Sequence, residues 1–156
     1  MAELITLGEA LTLRADMQRR LSELRTRLLA SAQVQEGESP AEDPEVLLDE
    51  LERTAAGLQD LIARINRTNL TVTIATGESL TDAIARRDVL AIRYAVNREL
   101  AAAASARPER YSLREIKVQS TVDVGAIRRK VDAIARERRE LDVALQAANW
   151  ANALAD

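Results

Sequence analysis

From Ile127 to Ala148 the chain repeats at alternating steps of four and three. Ile127, Val131, Ile134, Leu141, Leu145 and Ala148 are the apolar members, and Arg138 fills the one polar slot. That spacing keeps a single face of an α-helix apolar over many turns, and a strand cannot use it because its faces alternate at every residue. Thr121 or Asp123 is placed to cap this helix, which is expected over about 123–150 and, at about 1.5 Å per residue, extends roughly 40 Å. An element that long needs long partners. Asp132 with Arg136, and Arg138 with Asp142, are opposite charges four apart and are expected to pair along it.

The partners are legible upstream. Leu4, Leu7 and Leu11, then Met17, Leu21, Leu24 and Leu28, mark a first helix over about 6–32, with Arg14 at the break between the two registers. A loop over about 33–44 holds Gly37, Pro40, Pro44 and the acids Glu36, Glu38, Glu42 and Asp43. Asp43-Pro44 reads as an N-cap followed by Pro at the first helical position. The acids there are read as serving a helix start rather than a partner. Leu47, Leu48, Leu51, Ala55, Leu58, Ile62 and Ile65 then define a second helix over about 45–69. Ser79-Leu80-Thr81-Asp82 is a capping box that opens a third over about 79–105, with Leu80, Ile84, Ala91, Val96 and Leu100 among its apolar positions.

Between the second and third helices the period changes. Leu70, Val72 and Ile74 alternate with Thr71, Thr73 and Thr76, which is a strand pattern. Ile116, Val118, Ser120 and Val122 alternate with Lys117, Gln119 and Thr121. A lone short strand is unstable. The expectation is therefore a mainly α fold: a long antiparallel four-helix bundle or pair of helical hairpins, with a small two-stranded β-ribbon pairing about 70–76 with 116–122. Residues 1–156 are expected to form a single helical domain. Trp150 is placed to anchor the last helix.

Composition narrows the chemistry. Aromatics are 2 % of residues, Phe is absent, and 47 % of the chain is hydrophobic, so the core must be Leu, Ile, Val and Ala. There is no Cys and no His. That excludes disulfides, thiolate and imidazole metal sites, Cys nucleophiles and Ser-His-Asp triads. No phosphate-cradling Gly motif occurs, and no cofactor or metal is expected. The first residues carry no signal-peptide pattern and no apolar run is long enough to span a bilayer, so a cytoplasmic, membrane-free protein is expected. Arg128, Arg129, Lys130, Arg136 and Arg139 make the last helix locally basic, but acids are interleaved and the net charge is -3. Nucleic-acid binding ranks third among the readings.

One polar stretch carries the candidate site. Asn66, Arg67 and Asn69 end the second helix, and Arg86, Arg87 and Asp88 lie two turns into the third. A folded-back ribbon would bring Arg110, Tyr111, Glu115 and Lys117 toward them. Several Arg forks with amides and hydroxyls suit a phosphate or carboxylate. The competing and favoured reading is an internal network in which these groups satisfy helix ends and each other.

The junctions also carry a resemblance. Gln35-Glu36-Gly37-Glu38 with Glu42-Asp43-Pro44, Leu61 to Asn69, Ser79 to Ala83 with Arg87-Asp88, Arg110-Tyr111-Ser112, Ser120 to Val124 and Ala148-Asn149-Trp150 look like the septicolysin-like family of small bacterial helical proteins of unknown function. The resemblance covers nearly the whole chain and implies no activity. Its name suggests a cytolysin, which a chain so poor in aromatics and lacking an export signal does not support.

The function expected from the sequence is that of a non-enzymatic, self-assembling or adaptor protein. A homo-oligomer is expected through the long helices, with another protein as a further possible partner. The alternative is an anion or small-ligand binder, or an enzyme, that uses the Arg and Asn cluster.

Overall fold

Four helices form in the computed structural model, which describes residues 5–106 and 118–156. They are α1 (Leu7–Ala30), α2 (Pro44–Thr71), α3 (Leu80–Ser105) and α4 (Val124–Ala151). Each begins where a side chain supplies the missing acceptor for a first-turn N–H. Thr6 accepts from the Glu9 N–H at 3.1 Å while Glu9 accepts from the Thr6 N–H at 2.7 Å, closing a reciprocal box. Asp43 accepts from Glu45 with Pro44 at the first helical position. Ser79 accepts from Asp82, and Asp123 from the Ala126 N–H.

The chain divides into two compact units, residues 1–73 with 146–156 and residues 74–145. In the first, α1 and α2 form an antiparallel hairpin. Arg27 pairs with Glu42 just before α2, Arg20 pairs with Glu50 nearly two turns into it, and Met17 packs against Gly57. Leu7, Ala10, Leu24, Leu47, Leu61 and Ile65 are buried. The last residues close on the start of α1: the Leu7 N–H donates to the Asn152 carbonyl at 2.9 Å and the Leu154 N–H to the Ile5 carbonyl at 2.9 Å. The Trp150 ring lies over Gly8 so closely that a Cβ there would sit 2.8 Å from it, which is why the position holds no side chain.

In the second unit a turn from Ile74 to Glu78, with Gly77 at φ 84°, leads into α3. The α3 and α4 helices run antiparallel. Arg86 meets Glu137 at 3.3 Å, the Arg138 guanidinium lies 5.1 Å from the Tyr94 ring centroid, and Arg128 donates to the Ser105 hydroxyl at 3.3 Å. The four-three stripe of α4 turns inward. Ile134, Leu141, Leu145 and Ala148 are buried, and Ile127 and Val131 are half-buried. The expected pairs Asp132–Arg136 and Arg138–Asp142 do not close; Arg138 instead faces Tyr94, a cation–π contact that suits a guanidinium in an otherwise apolar row.

The expected β-ribbon does not form among the described residues. The α2 helix runs on through Thr71, so Leu70 and Thr71 are helical, and the Thr71 hydroxyl donates to the Thr68 carbonyl at 3.2 Å. Val118 to Val122 form no strand; the Val122 N–H donates to the Ser120 hydroxyl at 3.2 Å in a local turn. Ile116 and Lys117 lie outside the described residues. Thr alternation was the signal for a strand, yet a Thr hydroxyl can bond back to the helix, and a running helix gains a backbone bond with each residue added. Strand-like pairing among the described residues is limited to isolated bridges such as Thr6 with Ala153.

Two carboxylates tie this fold to pH. The Thr6 N–H and hydroxyl hold Glu9 below the ordinary carboxylate range, and the Arg27 guanidinium holds Glu42 below it. A carboxylate depressed in the folded state contributes stability above its unfolded pKa of about 4.3 and loses it as pH falls through the folded value. Thermal melts should therefore hold steady from neutral pH down to about 5 and drop progressively below about 4. The drop should be smaller in Glu42→Gln.

Candidate functional site

The polar candidates divide between the two units and are largely occupied. In the first unit the end of α2 grips residues 152–156. Arg64 Nε donates to the Ala155 carbonyl and Arg67 Nε to the Asp156 carbonyl, each at 2.9 Å. The Ala155 N–H donates to the Thr68 hydroxyl at 2.9 Å, and that hydroxyl donates to the Arg64 carbonyl at 2.8 Å. Thr68 is only 1 % exposed, so it is the buried centre of this cluster, whereas Asn66 is exposed and Asn69 half-buried. Thr68→Val keeps the shape and strands the Ala155 N–H. The expected cost is about 1–3 kcal/mol of unfolding free energy, read from urea denaturation.

In the second unit Arg86 is held by two carboxylates. Its Nε and Nη2 donate to Glu78 at 3.2 and 2.7 Å, and its Nη1 donates to Glu137 at 3.3 Å. Glu78, then Glu137, raise its already high pKa, so it stays charged. Arg87 is paired with Asp88 at 3.0 Å. Each described Arg of the candidate cluster therefore has an acceptor already, as a structural network requires. Arg110, Tyr111, Glu115 and Lys117 lie outside the described residues.

A different feature emerges on α3. This helix carries two apolar faces. Leu80, Ala83, Leu90 and Ala101 are buried. Val89, Ile92, Val96 and Leu100 point the other way and are 54, 64, 56 and 41 % exposed. Ala85 and Ala103, also exposed, extend the second face at both ends. Single exposed aliphatics are ordinary on any surface, but aligned ones form a continuous band. Arg93 edges the band on one side, and Asp88 and Glu99 on the other. Leu80 and Leu100 both register as apolar helix positions in the sequence, yet they belong to opposite faces. The usable signal was phase: at 100° per residue, Val89, Ile92, Val96 and Leu100 fall within one sector and Leu80 and Leu90 outside it.

No group of three or more acids able to hold a metal ion occurs among the described residues. No described helix is long and apolar enough to cross a membrane.

The class defined by these observations is a mainly helical protein of antiparallel hairpins with a surplus apolar helix face. Residues 14–154 match the model of a family of unknown function, DUF6847, and the chain belongs to that family. It is similar to a protein from Corynebacterium diphtheriae whose crystal structure is described as that of a functionally unknown conserved protein. The two are 43 % identical over 97 % of this chain and 99 % of the other, with a TM-score of 0.89. No curated protein matches. The septicolysin-like resemblance is thereby corrected: the family matched is DUF6847 and no septicolysin link accompanies it. Several of the stretches that carried the resemblance, Asp43-Pro44, Ser79 to Asp82 and Asp123, are helix caps, and capping chemistry recurs in unrelated helical proteins.

Proposed function

We propose that this protein is a non-enzymatic, self-assembling helical protein whose contact surface is the outward face of α3. The observation that carries the reading is the band of Val89, Ile92, Val96 and Leu100, left in water by a helix whose opposite face is already buried. The absence of Cys and His removes the commonest nucleophile, general base and metal ligands, which favours assembly over catalysis. The partners already held by Arg67, Arg86 and Arg87 favour it over anion binding at the α2–α3 junction.

The magnitude sets the expected strength. Burying the remaining surface of a half-exposed aliphatic side chain contributes about 1 kcal/mol. A pair of copies supplies eight such residues, against an association cost of about 4–15 kcal/mol. The balance is narrow, so contact through this band alone is expected to be reversible, at micromolar Kd or weaker. Light scattering behind a sizing column should show the weight-average mass rising from the 17.2 kDa of one chain toward a multiple as concentration increases. A mass that stays at one chain up to about 500 μM would put any Kd beyond the useful range and end the proposal.

A further inference from the structure

We infer that two copies meet through α3 in parallel and in register, with Asp88 of one copy facing Arg93 of the other across the seam. This rests on the assembly reading above and adds the orientation and the residues that select it. The band Ala85, Val89, Ile92, Val96, Leu100 and Ala103 advances by four, three, four, four and three. Those steps average the 3.6 residues per turn of a straight helix, so two such helices can lie along one another through Val96 without supercoiling, while at the far end Leu100 and Ala103 share a hollow with Val118 to Val122.

The charges at its edges are arranged asymmetrically. Asp88 and Glu99 lie along one edge and Arg93 along the other, and the side chains of Arg87 and Asp88 remain 43 and 63 % exposed in their mutual pair. In a parallel two-fold pair, the left edge of one helix meets the right edge of its partner, and a residue meets the one five positions on. Asp88 therefore faces Arg93, twice by symmetry. The competing antiparallel pair, which sets Ile92 against Val96, is centred on Tyr94. It brings like edges together, setting Asp88 against Glu99 twice and Arg93 near its own copy. Such surface charges contribute little to affinity but decide between otherwise equal registers.

The chain has no native Cys, so single-cysteine variants report proximity without background. Val96→Cys should form a disulfide-linked dimer under mild oxidation, because the parallel seam sets each position 96 beside its copy within disulfide reach. Exposed Ala102→Cys, off the band, should not. A mixture of Ile92→Cys and Val96→Cys proteins should cross-link no faster than Val96→Cys alone. Faster mixed cross-linking is the antiparallel signature and would overturn the inference.

Sedimentation equilibrium supplies the second test. Arg93→Asp should weaken association by about three- to tenfold, because each seam then opposes two acids. Asp88→Arg should weaken it similarly, and the double exchange should restore it. Tighter association of Asp88→Arg would contradict the parallel pair, since Arg at 88 meets Glu99 only in the antiparallel one. If the native chain associates but these variants behave as the antiparallel pair requires, the orientation fails and self-assembly stands. If the native chain stays monomeric, both fail.

Discussion

Leu90→Ala is expected to cost about 2–5 kcal/mol of folding free energy, as befits a leucine buried on the inner face of α3. Leu90 is 1 % exposed, between Val89 and Ala91 in sequence but on the face that carries Leu80, Ala83 and Ala101. Removing its branched end deletes three buried carbons and leaves a cavity that the rigid helix cannot close. For a chain of this size the melting temperature should fall by roughly 5–20 °C, with the denaturant slope unchanged. Calorimetry on purified protein reads it directly. A shift under about 2 °C would mean that the assigned inner face is wrong.

Ile92→Glu, two residues on, is expected to do the opposite. Ile92 is 64 % exposed, so folding loses little and the melting temperature of the isolated chain should stay within about 3 °C of the native one. Association should be abolished. A carboxylate placed at the centre of an apolar seam must be desolvated without a partner, and the symmetric contact sets two of them face to face. The dissociation constant should rise at least about a hundredfold, about 2.7 kcal/mol, which takes a micromolar complex out of the measurable range. Unchanged assembly in this variant would move the contact away from α3. A collapsed melting temperature would show that Ile92 supports folding instead.

These two outcomes also mark how far the sequence carried. The four helices were legible because their stripes are long and their caps chemically specific: Asp43 before Pro44, and Ser79 three residues before Asp82, stand at the starts that the structure shows. The ribbon was misread because six residues of alternating Thr and aliphatic are too few to separate a strand from a helix end, and the Thr71 hydroxyl settles on the Thr68 carbonyl. The clamp around Thr68 was half visible. Arg67 stood out within a polar cluster, but the partners of the clamp, Ala155 and Asp156, lie far along the chain, and nothing local announces such a pairing.

The outward band was missed for a different reason. Leu80, Ile84, Ala91, Val96 and Leu100 were read together as the apolar positions of this helix. In fact Arg86 sits between two faces, reaching Glu78 and Glu137, while Val89 belongs to the second face. The strict repeat on α4 pointed to assembly in the sequence, yet that repeat is spent inside the chain, with Ile134, Leu141 and Leu145 buried. Periodicity identifies an apolar face without saying which neighbour covers it. The packed structure shows that an uncovered one belongs to α3.

Native mass spectrometry of gently purified protein separates assembly from ligand binding in one spectrum. Self-assembly through α3 predicts a species at an integer multiple of 17.2 kDa with no added mass, growing with concentration and missing in Ile92→Glu. A single-chain mass at every concentration, or a single chain carrying a bound small molecule, would contradict it and return attention to the Arg and Asn groups at the end of α2 and the start of α3.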